Sequence, residues 1–334
     1  MHTPPINLAI IGCGLAARDL HWPALRHLTD QFRIAIVCNH TPGKARSFAD
    51  LVGGGVPWTQ DYHEAIAERG VDAVSIILPV ELNLPVTEAA LRAGKHVIVE
   101  KPLALDAAES ARMVALAREF PTRVTMVAEN YRYRPTLRRL GEMLRAGAIG
   151  RVYACQWTTM TDMAPETSAY GRTQWRLDHK YAGGYLTDGG VHTINGIRLL
   201  FGEIVELRSR TLCVNRTIGE VDTHFMEFET ERGVTGTLTQ AYSARGYAES
   251  RLLVLGTEGT IRLEGNRIAI HRRGIAVEEI ATPDDGGYRG QYEAFHAAIA
   301  HGTPTETSFP EAARDLAVML AAMKSAESGE KVEV

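Results

Sequence analysis

The rhythm of the first 128 residues limits the fold more than any other feature of this chain. Short runs rich in Ile and Val alternate with longer segments of helical period, and such an order closes into a parallel sheet covered by helices. Strands are predicted at 7–11, 33–38, 73–78, 96–99 and 124–128, and helices at 15–28, 42–51, 62–68, 84–93 and 107–119. The run 73–78 is apolar at nearly every position, as a strand buried on both faces must be. All these strands then end at one edge of the sheet, where ligands of open α/β sheets bind.

Beyond residue 135 the pattern changes. A helix at 135–146 precedes strands at 152–159, 205–214, 223–230, 234–242, 250–255, 260–263 and 267–271. Tight turns such as Glu231-Arg232-Gly233 and Glu264-Gly265-Asn266 predict antiparallel pairing. Several strands alternate polar and apolar residues, as in Phe225-Met226-Glu227-Phe228, so one face of this sheet needs a cover, for which a second subunit is expected. Helices at 288–300 and 310–327 close the chain. The polar, aromatic interval 161–185 has little periodicity and is expected to lie over an active site.

A length of 334 residues fits two domains, since single cores stop growing near roughly 250–300 residues. The net charge of -4 comes without a Lys/Arg block, which argues against a nucleic-acid partner. Cys13, Cys38, Cys155 and Cys213 are too scattered for a disulfide framework or a zinc site, and no metal is expected. Met1-His2-Thr3-Pro4-Pro5 lacks the basic region and long apolar run of a leader, and no run reaches the roughly 18 apolar residues of a membrane span. A cytoplasmic protein with no membrane partner is the expectation.

Gly12-x-Gly14-x-x-Ala17 lies between a predicted strand and a predicted helix, the setting in which this weak motif becomes informative. Gly12 permits the tight turn, Gly14 lets a pyrophosphate approach, and Ala17 allows close helix-to-strand packing. Leu15 and Ala16 open the helix, whose free amides and dipole favour an anion. The expected ligand is NAD or NADP. At the end of the second strand, where an acid would repel a 2′-phosphate, the chain reads Cys38-Asn39-His40-Thr41. Asn39 is suited to a ribose diol, whereas His40, Thr41, Lys44 and Arg46 are suited to a phosphate, and the balance leans slightly to NADP.

Two further stretches carry chemistry. Val97-Ile98-Val99-Glu100-Lys101-Pro102 is a buried strand ending in an acid, a base and a proline, and Lys101 there is suited to bond or protonate a substrate oxygen. Gly183-Gly184-Tyr185-Leu186-Thr187-Asp188-Gly189-Gly190-Val191-His192 opens a helix on which Asp188 and His192 share a face. A carboxylate beside an imidazole fixes its tautomer and suits a general base, and the four glycines are expected to leave a flat ligand room against backbone.

Together with Ala93-Gly94-Lys95-His96 before the corner, these motifs resemble the Gfo/Idh/MocA oxidoreductases, the glucose-fructose oxidoreductase and inositol dehydrogenase family, over nearly the whole chain. The resemblance implies a Rossmann dinucleotide-binding domain, placed at 1–124, and a C-terminal α/β domain with a large, mainly antiparallel open sheet, placed at 125–334, whose last helix is free to pack back on the first domain. That sheet would build a homodimer or homotetramer. The resemblance also implies that Lys101 holds substrate and nicotinamide, that His192 exchanges the hydroxyl proton, and that Asp188 orients substrate or histidine. Cofactor contacts are implied at Leu78, Pro79, Glu100 and Asn130, and at Trp175-Arg176. Asn83, also expected to contact the cofactor, stands where many members carry a histidine, Asn39 where many carry an acid, and Asn195 where an acid often follows the histidine.

The expected reaction is NAD(P)-dependent interconversion of a secondary alcohol and a ketone on a sugar, cyclitol or related polyol. Lys101, Asp188 and His192 are expected to meet at one substrate oxygen. Arg132, Trp157, Tyr170 and His179, with Glu129, Tyr131, Trp175 and Arg176, are candidates for the substrate wall, although at least two of Tyr131-Arg132-Tyr133-Arg134 are expected to be structural. Competing readings are a non-catalytic dinucleotide or sugar sensor, and an enzyme of the same fold acting on a sugar nucleotide or a tetrapyrrole.

Overall fold

The computed structural model describes residues 4–334, and Met1 to Thr3, part of the stretch read above for a leader, lie outside the described residues. The chain divides into two compact units, one running to Asn130 and resuming over Gly287–Ala313, the other comprising Tyr131–Gly286 and Arg314–Val334.

The first unit holds Ile6–Ile11 (β1), a π-helical turn at Ala17–His21 running into Trp22–Leu25 (α1), Phe32–Cys38 (β2), Pro42–Val52 (α2), Trp58–Thr59 (β3), Tyr62–Ala67 (α3), Ala73–Ile76 (β4), Asn83–Arg92 (α4), His96–Val99 (β5), Ala107–Glu119 (α5) and Thr125–Val127 (β6). Their sheet is wholly parallel in the order β3-β2-β1-β4-β5-β6, so the direction of winding reverses between β1 and β4, where the glycine turn lies. Helix starts follow local chemistry. Asp61 accepts from the His63 amide at 2.8 Å and Asp106 from the Glu109 amide at 2.9 Å, each satisfying an N–H that the helix cannot.

The second unit holds Pro135–Arg145 (α6), Val152–Met160 (β7), Gln174–Leu177 (α7), Tyr185–Phe201 (α8), Ile204–Leu212 (β8), Thr223–Thr230 (β9), Thr235–Ala241 (β10), Glu249–Gly256 (β11), Thr260–Glu264 (β12), Arg267–His271 (β13) and Glu278–Ala281 (β14). After Tyr288–His301 (α9) and Phe309–Ser328 (α10), Val332–Glu333 (β15) pairs with β8. The nine strands run β14-β13-β12-β11-β7-β10-β9-β8-β15, antiparallel except for β7 with β10. A parallel neighbour needs a long crossover, and the chain between these two strands supplies one. One face buries Trp157, Met226, Phe228, Leu238 and Leu252 in a core shared with Leu186, Ile194 and Ile197 of α8. The other face is open, with Phe225 46% exposed and a shallow depression of about 480 Å³ lined in part by Gln156, Arg208, Arg210, Glu227 and Thr237.

The strands at β3, β14 and β15 were not expected, because they are short edge strands defined by register and not by apolar pattern. The expected division at 124/125 falls before β6, which pairs with β5. The segment belonging with the first unit is Gly287–Ala313, which contains α9, while the body of the last helix belongs to the second unit. Burial explains this: Tyr292 and Phe295 of α9 are fully buried, Phe295 stacks on Phe32 of β2, and Thr307 bonds Val127 of β6 in both directions at 2.8 Å. No helix among the described residues is long and apolar enough to cross a membrane.

Candidate active site

The glycine turn after β1 is set by steric demand. Gly12 has φ +104°, and a Cβ there would lie 2.0 Å from the Ile77 carbonyl oxygen and 3.1 Å from Leu78, so only glycine fits. Before Gly14 there is open space, with nothing within 4 Å of where a Cβ would stand. Leu15 and Ala16 are half-buried and Ala17 fully buried, and Leu78 and Pro79 line the neighbouring turn, also half-buried. Burial pushes the Cys13 thiol up to about 12, with Cys38 adding to the shift, and pushes Cys38 up to about 11, aided by Asp61 and Glu64. Neither puts a thiolate beside this turn at neutral pH.

Asn39 is buried, its Oδ1 accepting from the Cys13 amide at 3.0 Å and its Nδ2 donating to the Thr41 carbonyl at 3.4 Å. It fastens the glycine turn to the end of β2. His40, Lys44 and Arg46 are exposed, and the Arg46 guanidinium lies over the Trp58 ring.

At the corner after β5 the Lys101-Pro102 peptide is cis, and Lys101 is half-buried. Asn83 was expected among the cofactor contacts. The structure corrects this: its side chain is fully buried, and Nδ2 donates to the carbonyls of Glu100 and Pro102, each at 2.9 Å. Asn83 clamps the backbone on both sides of Lys101 from beneath. Glu100 is held by its amide, bonded to the Ile76 carbonyl at 2.9 Å, and by its carboxylate, 2.6 Å from His21 Nε2. Glu129 and Asn130 are buried where the first unit ends.

In the second unit, α8 presents Asp188 in its first turn and His192 one turn later. Asp188 accepts from Arg176 Nε at 2.8 Å, in a pair with 13% and 8% of the side chains exposed. Burial alone would depress the Arg176 pKa, but the Asp188 carboxylate outweighs it and holds the guanidinium above its usual range. Arg176 also lies 4.0 Å from the Trp175 ring centroid and 5.4 Å from that of Tyr170, so it is held within the 161–185 interval by cation–π contacts and tied to α8 by the ion pair with Asp188. The His192 imidazole is half-buried and stacks on Tyr131, with centroids 4.9 Å apart and planes at 20°. Burial pushes the Tyr185 phenol up to about 12, Arg176 opposing and Asp188 adding, and raises Tyr242 further, with Asp188 and Tyr131 contributing, so both phenols keep their protons.

The glycines of α8 do not leave the flat ligand room expected of them. A Cβ on Gly189 would stand 1.8 Å from the Tyr242 hydroxyl, and the spaces at Gly183, Gly184 and Gly190 are filled by Thr187, His179 and Met319. His179 itself is wedged between Gly184 and Gly219 and bonds the Arg176 carbonyl through Nδ1 at 3.2 Å, which makes it a fastener of the loop. Trp157, also expected in the substrate wall, is only 3% exposed. It packs against Gly196 in the core, because β7 turns that side chain inward. Arg134 bonds Asp284 at 2.9 Å and covers the Tyr131 ring, and Arg138 covers Tyr133, so Arg134 and Tyr133 are structural. Arg132 is half-buried, its Nε shielded from solvent without a hydrogen-bond partner. Asn195 donates to Asp315 at 2.7 Å and belongs to the interior. Sequence reasoning missed Tyr242 as a neighbour of Asp188 and His21 as a partner of Glu100, for which no local pattern gives a signal.

A parallel sheet wound in this order, with a glycine turn at its reversal point, places the chain among Rossmann dinucleotide-binding proteins. Residues 6–128 match the family model for the oxidoreductase family, NAD-binding Rossmann fold, and residues 141–334 match that for its C-terminal alpha/beta domain. The chain belongs to the Gfo/Idh/MocA family of oxidoreductases. An oxidoreductase from Thermotoga maritima is similar at 36% identity, with 98% of each chain covered and a TM-score of 0.91. A dTDP-3,4-didehydro-2,6-dideoxy-alpha-D-glucose 3-reductase from Streptomyces violaceoruber is 32% identical over 92% of this chain and 85% of its own. A D-apiose dehydrogenase from Paraburkholderia graminis is 27% identical over 98% and 89%.

Proposed function

We propose that this oxidoreductase interconverts a secondary alcohol and a ketone on a sugar, cyclitol or related polyol, with Lys101, His192 and Asp188 as its catalytic set. The observation that carries this reading is the pairing, in one chain, of a dinucleotide-type glycine turn beside a clamped lysine corner with a helix start that presents a shielded carboxylate and an imidazole. The nicotinamide group, when bound, accepts or donates the hydride. Gly12, Gly14 and the amides of Leu15 and Ala16 are assigned to its pyrophosphate, and Leu78, Pro79, Glu100 and Asn130 to the remainder of the dinucleotide. His192 takes the hydroxyl proton, and Lys101 bonds the oxygen as alkoxide charge develops. Asp188, already paired with Arg176, places a carboxylate one helical turn from the imidazole.

NADP is the preferred cofactor in this reading, since Asn39 is turned to the glycine turn and His40, Lys44 and Arg46 remain exposed as bases suited to a 2′-phosphate. Similarity to the dTDP-sugar reductase makes the ketone of a nucleotide sugar the second substrate class. The open face of the second sheet is assigned to a homodimer or homotetramer. A cytoplasmic location fits four free thiols.

The test is a panel of sugars, polyols and nucleotide sugars with both cofactors, followed at the reduced-nicotinamide absorbance. With a substrate in hand, His192→Ala and Lys101→Ala are expected to lower kcat by about 10²–10⁴-fold while leaving the fold intact. Turnover at the parent rate in both variants would refute the assignment.

A further inference from the structure

Glu100, at the corner after β5, is attached to a buried chain of hydrogen bonds whose other members have no part in the reaction just described. Ser75 Oγ lies 2.9 Å from Tyr292 Oη, Tyr292 Oη 2.7 Å from His21 Nδ1, and His21 Nε2 2.6 Å from Glu100 Oε1. Ser75 and His21 are each 1% exposed and Tyr292 is fully buried, whereas the Glu100 side chain retains 14%. The four residues come from β4, the π turn after the glycine loop, α9 and the end of β5, all within the first unit. Glu100 is the one member of the chain that reaches the strand-end edge where ligands of such sheets bind.

One order of donors and acceptors satisfies every member of the chain. With Glu100 as a carboxylate, His21 donates through Nε2 and accepts through Nδ1, Tyr292 donates to that nitrogen, and Ser75 donates to the Tyr292 oxygen. A single neutral tautomer satisfies both ring nitrogens, although neither reaches solvent. The π turn, a rare local geometry, ends at His21 and carries it inward while Arg18 and Asp19 of the same turn stay exposed. Tyr288 flanks the ring edge-on at 5.4 Å, so the imidazole is packed as well as bonded.

We propose that His21, backed by Tyr292 and Ser75, is a positioning residue that holds the Glu100 carboxylate in one orientation, and thereby sets affinity for the part of the dinucleotide beyond the glycine turn. The proposal rests on the assignment of Glu100 to the dinucleotide site. A carboxylate fixed in this way accepts from hydroxyl donors such as a ribose diol without first being ordered. A role confined to folding would be blind to which half of the ligand is present; a positioning role distinguishes the halves.

The experiment measures dissociation constants of NADH, NADPH and ADP by calorimetry, with thermal midpoints of the ligand-free proteins, for the parent and for His21→Leu, His21→Gln, Tyr292→Phe and Glu100→Gln. His21→Leu is expected to weaken the preferred dinucleotide by about tenfold, the scale of one lost charge-assisted hydrogen bond, and to leave ADP within about twofold. His21→Gln keeps a donor for Glu100 and is expected to recover most of that loss, and Tyr292→Phe to show about a threefold effect confined to the dinucleotides. Equal losses for ADP and dinucleotide, or none in folded His21→Leu and Tyr292→Phe, overturn the proposal. If His21→Leu does not fold, Tyr292→Phe decides by the same criterion. Should Glu100→Gln leave the dinucleotide affinity unchanged, the placement of Glu100 itself is wrong; a loss there with silent His21 and Tyr292 variants refutes the positioning role alone.

Discussion

The corner after β5 and the start of α8 both present residues assigned to chemistry, yet they are held by opposite means. At the corner, an uncharged carboxamide grips two carbonyls around Lys101, and an imidazole grips the Glu100 side chain. At the helix start, a shielded ion pair sets Asp188 against Arg176, and aromatic rings occupy the space around it. A neutral clamp asks little desolvation of its partners and fixes backbone. A buried pair carries a large desolvation cost, tolerated because each charge answers the other. The corner is therefore expected to lose little when its clamp is cut, and the helix start to lose much when its pair is broken.

The largest effect should come from Arg176→Met, which strands the Asp188 carboxylate in a shielded site and is expected to destabilise the protein by about 3–5 kcal/mol. The double variant with Asp188→Asn should recover much of that stability in urea titration, though not the activity. If the single variant costs less than about 1 kcal/mol, the pair behaves like an exposed one and the contrast fails. Next in size is Gly189→Ala, where the new methyl meets the Tyr242 hydroxyl. A loss of about 1–3 kcal/mol is expected, eased by adding Tyr242→Phe, and additive losses would show the two positions to be independent. Smallest is Asn83→Ala, which removes two hydrogen bonds from carbonyls of the corner and should cost about 1–2 kcal/mol. Cutting this clamp should lower kcat more than its stability cost implies, because Lys101 loses its fixed backbone. An unchanged kcat would reduce Asn83 to an ordinary core residue.

Much of the first unit was legible because its rules are local. The buried run at β4, the turn at Gly12 and the proline corner each state their requirement within a few residues. The glycine turn was readable from its place between a strand and a helix, and the structure adds that a φ of +104° and the Ile77 carbonyl, 2.0 Å from the missing Cβ, exclude every side chain. The Asp188/His192 spacing was readable because helical period places both on one face. Asn83 was misjudged because nothing near it in the sequence shows that its amide faces Glu100 and Pro102, and the alternation in β7 placed Trp157 on a sheet face without saying which face is covered.

The sequence by itself determined the two kinds of sheet, the position of the glycine turn, and the residue types at the corner and on α8. These follow from periodicity and from short-range sterics, which act between neighbours in the chain. Only the tertiary structure decided that Arg176 answers Asp188, that Tyr242 fills the space over Gly189, and that α9 lends Tyr292 to a chain ending at Glu100. The partner of a buried charge or a buried hydrogen-bonding group is whichever complementary group packing brings near, and that group need not be close in sequence.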